Sequence, residues 1–204
     1  MRRFMRFFYF LLYHPFAFTY DLVAWVVSFG KWNDWVLSIF PFIEGTRILE
    51  LGHGPGHLQR FLLDQGLSPV ALDESTQMGR IAKRRLGGKH KLARGIAQSL
   101  PFSPEVFETV VSTFPSEYIF DPQTLKEIRR VLVKNGKLIV LPAVFPSNRF
   151  LIWLYKVTGE NPESLNAILV ERMAEPFKKA GFKVKVSTME SKAGTLVMGI
   201  GEKV

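Results

Sequence analysis

An acid and three alternating glycines stand together in Glu50-Leu51-Gly52-His53-Gly54-Pro55-Gly56, with His57 directly after them. Glycine lets a backbone turn sharply and approach a ligand closely, and a helix that starts after such a turn offers unpaired N–H groups and the positive end of its dipole. Residues of these types in this order suit a nucleotide or nucleoside. The dinucleotide fingerprint G-x-G-x-x-G needs glycine at 57 and meets His57, so a pyrophosphate loop fits less well. Asp73, 21 residues past Gly52, is a second carboxylate, placed where an acid can accept two hydrogen bonds from ribose hydroxyls. His53 and His57 are four apart, a spacing that would suit a metal on one helix, but Gly54-Pro55-Gly56 interrupts any such helix and no metal is expected. The absence of cysteine removes thiol nucleophiles, disulfides and cysteine-held zinc or iron–sulfur centres.

These residues need strands and helices to hold them. TRILEL (46–51) reads as a buried strand and PGHLQRFLLDQG as a helix closed by Gly66. SPVALD is a second strand, and STQMGRIAKRRLGG a helix opened by Ser75 and closed by Gly87-Gly88. KLARG and FETVVSTF are further strands. DPQTLKEIRRVLVKNG (121–136) is a helix capped by Asp121 with Pro122 at its first position, and KLIVLP the strand after it. A helix over 162–181 is expected to kink or end at Pro176, and FKVKVSTME with GTLVMGIGEK closes the chain as a strand pair. Strands that alternate with helices imply right-handed crossovers and an α/β, doubly wound, mostly parallel sheet with an antiparallel closing pair. Ligands of such sheets sit outside the carboxyl ends of the strands, where Glu50, the glycine turn and Asp73 all fall.

At 204 residues the chain allows one domain and an appendage, given roughly 150 residues per domain. The appendage is aromatic: of 18 Phe, 5 Tyr and 4 Trp, 15 lie before residue 44. Residues 1–43 are therefore read as an apolar helical arm, a lid or membrane-surface anchor, and 44–204 as the domain. The longest charge-free stretch of the arm, Phe7 to Tyr20, is broken by His14-Pro15 and falls short of the ~20 residues of a membrane span. A cleaved signal peptide is not expected either, for no small-x-small site follows the apolar run. Arg2, Arg3 and Arg6 beside aromatic rings suit an anionic lipid interface. A helix at 147–158, apolar on nearly every face, belongs beside the arm or in the bilayer. Arg80, Lys83, Arg84, Arg85, Lys89, Lys91 and Arg94 form a run with no acid, and the net charge is +9. That run is a solvated helix face or a footprint on anionic lipid. Nucleic acid is not expected, since no stacking aromatics interleave the bases.

The motifs ILELGHGPGHL, VALDESTQM, RGIAQSLPF, FETVVSTFP and EIRRVLVKNGKLIVLP, in this order over about residues 44–142, resemble those of the class I S-adenosylmethionine-dependent methyltransferases, most closely the small-molecule, quinone and lipid branch. Tyr20-Asp21 matches the leader pair that precedes the first strand in that branch. The resemblance implies a Rossmann-like methyltransferase fold, S-adenosyl-L-methionine as cofactor with S-adenosyl-L-homocysteine as product, and no metal. It places the methionine end at Glu50 and the backbone of Gly52 to Gly54, the ribose at Asp73, the adenine between Glu74 and Met78, and an adenine ring nitrogen at the Ala97 N–H. Gly56 and Phe114 complete the cofactor set, and His53 falls beside the sulfonium or the substrate or merely shapes the turn. Gly95-Ile96-Ala97 stands where many members have Gly-Asp-Ala, which leaves Gln98 as the replacement acceptor for the adenine amino group.

Methyl transfer runs on alignment in a dry pocket, and a base is needed only where the acceptor must lose a proton. His14, His53, Tyr20, Glu117 and Tyr118 are the candidates; His14 stands beside Pro15 in the arm, and neutral imidazole suits pH 7. Residues 114–118 and helix 147–158 are expected to wall the acceptor pocket. The reading is an enzyme of the cytoplasm, peripheral on the inner face of the membrane, that methylates a lipophilic acceptor: a phospholipid headgroup, a quinone or another lipid. A soluble acceptor with the arm as a plain lid, and a non-enzymatic cofactor-binding or membrane-binding module, are the alternatives.

Overall fold

A computed structural model of the chain describes residues 28, 30–88, 90–145, 174–191 and 194–204. His14, Tyr20, Asp21, most of the arm and helix 147–158 lie outside the described residues.

Among the described residues, helix α1 (Trp32–Leu37) and a 3-10 turn (Phe40–Phe42) lead into strand β1 (Ile48–Leu51). Then follow α2 (His57–Asp64), β2 (Val70–Asp73), α3 (Thr76–Leu86), β3 (Lys91–Arg94) and β4 (Phe107–Thr113). A 3-10 turn (Glu117–Phe120), α4 (Pro122–Val131) and β5 (Leu132–Phe145) come next, and β6 (Phe182–Ser191) and β7 (Gly194–Lys203) end the chain. The seven strands form one sheet in the order β3-β2-β1-β4-β5-β7-β6. The first five run parallel, and β7 enters antiparallel between β5 and β6. This is the doubly wound sheet with an antiparallel closing pair that the sequence pattern implies.

Strand alternation divides the core into two layers. Leu49, Leu51, Val110, Leu138 and Val140 face one side, where Leu125, Ile128 and Val131 of α4 cover them together with Phe177. Ile48, Val111, Ile139 and Leu141 face the other, against Leu58 and Leu62 of α2 and Trp35, Val36 and Ile39 of the α1 segment. The described end of the arm is thus part of the core, and Glu50, in phase with Ile48, points to the α2 layer.

One boundary differs from expectation. The helix read over 121–136 stops at Val131, and Leu132 already pairs with Phe107 of β4. The chain then bulges through Asn135 (φ 62°) before it rejoins the ladder at Lys137. Leu132 is wholly buried, and pairing it in the sheet outweighs the modest helix propensity of the short segment after Val131. Pro176 falls in a helical stretch at 174–179 that ends within a turn of it, its carbonyl accepting from the Ala180 N–H at 3.0 Å, and the residues before 174 lie outside the described residues.

Candidate functional site

The turn from β1 to α2 is built from three left-handed residues, with φ of 73° at Gly52, 50° at Gly54 and 83° at Gly56. Each glycine has its own reason. A Cβ at Gly52 would stand 2.6 Å from the Tyr118 hydroxyl, and one at Gly56 3.2 Å from the Cβ of Ala82 on α3. A Cβ at Gly54 would meet nothing within 4 Å, so space is open above that residue. Outside contacts hold the turn in place. The Gly52 N–H donates to the Leu72 carbonyl at 2.8 Å, and the Arg85 guanidinium donates to the Pro55 carbonyl at 2.6 Å. Ser112 and Tyr118 both donate to the Leu51 carbonyl, at 2.7 and 3.1 Å, and their hydroxyls are 2.9 Å apart.

Glu50 is 1% exposed, and its neighbours across the sheet are Ala71 and Val111. The Gln59 amide donates to its carboxyl at 2.8 Å. Burial, opposed by that hydrogen bond and reinforced by the negative charge of Asp73, pushes the Glu50 carboxyl up to about 8. The Oε1 of Gln59 is buried without a partner. A buried acid and an unfilled acceptor beside it suit a ligand that brings a cation with N–H donors. Asp73, at the end of β2, accepts the Gly54 N–H at 2.9 Å on one oxygen and the Ser75 N–H at 2.8 Å on the other. Each carboxylate oxygen keeps a further lone pair for ribose hydroxyls. The N–H groups of Gly52 and Gly54 are thus used inside the fold, and at the open face above Gly54 the turn gives a ligand room.

His53 is 4% exposed and its Nδ1–H donates to the Gly54 carbonyl at 2.7 Å. Burial lowers its pKa, against an opposing pull from Asp73, so the ring is neutral and Nε2 carries the lone pair. His57 opens α2.

Loops from neighbouring strands meet this turn. The Gly95 N–H donates to the Asp73 carbonyl at 3.2 Å. Ile96 is 49% exposed, Ala97 is buried, and Gln98 Nε2 donates to Asp121 at 3.2 Å, which leaves the Gln98 side-chain oxygen as an acceptor. Glu74 is exposed, whereas Met78 is wholly buried with its N–H on the Ser75 hydroxyl at 3.3 Å. Phe114, at φ 49°, stacks on Trp32 with ring centres 4.4 Å apart and lies 6.4 Å from Trp35. Glu117 is exposed and Tyr118 half-buried. The structure therefore gathers Glu50, the glycine turn, His53, Asp73, Tyr118 and the loop after β3. Gln59, Ser112 and Arg85 join them through tertiary contacts that no local motif marks, and Trp32 joins Phe114 in the same way. A groove of about 720 Å³ between α4 and 174–179, lined by Phe120, Leu125, Lys126, Arg129 and Lys179, includes none of these residues. No group of His, Asp or Glu that could hold a metal occurs among the described residues.

The open space over Gly54, the buried acid and the residual lone pairs of Asp73 fit an adenosyl amino acid. Comparison with known proteins agrees. Residues 49–140 match a family described as a methyltransferase domain. The chain is 31% identical over 144 residues to a demethylmenaquinone methyltransferase of Thermotoga maritima, covering 68% of this chain and 62% of the relative. It is 33% identical over 132 residues to one of Renibacterium salmoninarum, covering 63% and 55%. It thus spans little more than half the length of these relatives. The fold is similar to that of an S-adenosylmethionine-dependent methyltransferase from Thermotoga maritima, described as a possible histamine N-methyltransferase, with TM-score 0.62, 22% identity, and 92% and 96% of the two chains covered. With its strand order, its acid–glycine turn and these matches, the chain belongs to the class I S-adenosylmethionine-dependent methyltransferases.

Proposed function

We propose that this protein transfers the methyl group of S-adenosylmethionine to a lipophilic acceptor of the quinone type at a membrane surface. The observation that carries the reading is the pairing of a sealed Glu50 with an open glycine turn and Asp73 at the carboxyl ends of β1 and β2. When bound, the cofactor supplies an electrophilic methyl group on a positively charged sulfur. The chain's own part is to hold, align and keep dry. Glu50 faces the ammonium end, the lone pairs of Asp73 face the ribose, and Glu74, Ala97 and Gln98 border the adenine. A hydroxyl or ring-carbon acceptor sheds a proton as its new bond to methyl forms. His53 suits that task, with Nδ1–H anchored on Gly54 and a neutral ring at pH 7. Tyr118, committed to the Leu51 carbonyl, shapes the turn instead.

The quinone acceptor is supported by the names of the relatives and by the Trp32–Phe114 stack after β4, a flat aromatic surface of the kind a quinone ring stacks on. The membrane surface is supported by the +9 charge, the exposed bases of α3 and the exposed Ile96. No helix among the described residues is long and apolar enough to cross a membrane.

The test incubates the full chain with methyl-labelled S-adenosylmethionine and a total lipid extract. Label in a lipid-soluble quinone is the expected result. Label in water-soluble species alone selects a soluble acceptor with the arm as a lid. Absence of calorimetric heat with either S-adenosylmethionine or S-adenosylhomocysteine leaves a binding module without this chemistry.

A further inference from the structure

Among the described residues, Gln59 is the side chain that hydrogen-bonds to the Glu50 carboxyl. It is the third residue of α2, it is fully buried, and its neighbours Leu58 and Leu62 belong to an apolar layer. A buried amide in such a layer is costly unless both ends are paired. One end is paired, since Nε2 donates to the Glu50 carboxyl at 2.8 Å, while Oε1 has no partner. An amide that donates to a carboxyl favours its ionised form, for a carboxylate accepts more strongly than a neutral acid. Everything else around Glu50 works the other way. It is sealed from water, its sheet neighbours Ala71 and Val111 carry no charge, Asp73 repels a second anion, and His53 in the adjoining turn is held neutral. Glu50 is therefore poised between two protonation states, with Gln59 as the group that tips it.

We propose that Gln59 is a positioning residue of the cofactor site: its amide fixes the Glu50 carboxyl and selects the charged form, so that capture of the cofactor's ammonium group is accompanied by loss of a proton from Glu50. The inference rests on the methyltransferase reading above. In the empty site the neutral acid is favoured near pH 7. An ammonium placed against Glu50 reverses the balance, the O–H proton leaves to solvent, and the resulting carboxylate is gripped from one side by the ligand and from the other by Gln59. The unfilled Oε1 of Gln59 adds a second acceptor beside that carboxylate.

Three ligands separate the possibilities in calorimetric titrations of the full chain across pH 6 to 9. S-adenosylhomocysteine and S-adenosylmethionine carry the ammonium group; 5′-methylthioadenosine has the same adenosyl part without it. For the first two, affinity is expected to rise about tenfold per pH unit below the Glu50 titration and to level off above it, with buffer-dependent heats that report close to one proton released. For methylthioadenosine the profile is flat. Gln59→Leu moves the levelling-off to higher pH and weakens S-adenosylhomocysteine on the order of tenfold at pH 7, with methylthioadenosine unchanged. Gln59→Asn, a shorter amide, is the companion variant should the leucine protein fail to fold, and is expected to shift the profile in the same direction by less. A wild-type affinity for S-adenosylhomocysteine that ignores pH, or a Gln59→Leu profile superposable on wild type, overturns the role of Gln59 and leaves the methyltransferase reading standing. Failure of the wild type to bind any of the three ligands overturns that reading instead.

Discussion

At the scale of single residues, the Glu50 carboxyl makes the stability of the fold depend on pH. Its carboxyl titrates near 8 in the fold, whereas in the unfolded chain it titrates in the ordinary range near 4.5. Between these values the unfolded chain gives up a proton that the folded one keeps, so this group's contribution to stability is fully present below the lower value. It is lost as pH rises and stays lost once both states are ionised. Glu50→Gln removes the titration and keeps a neutral partner for Gln59. Urea midpoints of the two proteins should lie close together at pH 5, with Glu50→Gln the more stable by on the order of a few kcal/mol at pH 8.5. His53 titrates in both proteins and cancels from the difference. A gap of the same size at both pH values would mean that the acid is ionised throughout. Glu50 and Asp73 were legible from spacing, because an acid before alternating glycines and another about 20 residues on is a local pattern. Gln59 was not, since in LQRFLL it reads as one more polar position of an amphipathic helix, and only the approach of α2 to β1 shows what it touches.

At the scale of elements, the crucial junction is the one from β1 to α2, and its glycines differ in what they tolerate. Gly52 sits over the Tyr118 hydroxyl, which is itself bound to the last carbonyl of β1. Gly52→Ala therefore meets two penalties: a left-handed φ, on the order of 1 to 2 kcal/mol for a residue with a Cβ, and a 2.6 Å clash with the phenol oxygen. Tyr118→Phe removes the oxygen and forfeits about 1 kcal/mol of hydrogen bonding. In the Tyr118→Phe protein the cost of Gly52→Ala should shrink to its backbone part, a coupling readable in a double-mutant cycle of denaturation midpoints. Equal costs in both backgrounds would show that the hydroxyl does not crowd the turn. The seven strands and α2, α3 and α4 follow from periodicity and from caps such as Ser75 and Asp121, which accept the Met78 and Gln123 N–H groups as N-caps do. The end of α4 escaped that reading because the ladder with Phe107 is a long-range contact, and helical periodicity continues past the point where pairing takes over. The Phe114–Trp32 stack escaped it for the same reason, with 81 residues of sequence between the partners.

At the scale of the whole molecule, charge and grease are distributed unevenly, and that asymmetry bears on where the protein works. The +9 charge is a property of the surface as a whole, but Arg80, Lys83 and Arg84 put three exposed cations on one helix, α3, next to the edge strand β3 and the loop carrying the exposed Ile96. Arg85, the next residue after Arg84, is committed to the Pro55 carbonyl and the glycine turn, so it belongs to the site and should be left intact in any test of the face. The alternative is a solvated helix face, a role that requires no lipid. The two roles separate by ionic strength. A basic face near an anionic bilayer contributes about 1 kcal/mol per residue and is screened over a Debye length of about 10 Å at 0.1 M salt. Replacement of Arg80, Lys83 and Arg84 by glutamine should therefore weaken binding to vesicles rich in anionic lipid by roughly a hundredfold at low salt and by little at high salt. Calorimetric affinity for S-adenosylhomocysteine should stay the same, because none of the three touches the turn. Vesicle binding that survives both the substitutions and high salt would assign the membrane contact to apolar residues elsewhere in the chain and leave α3 as a solvated face.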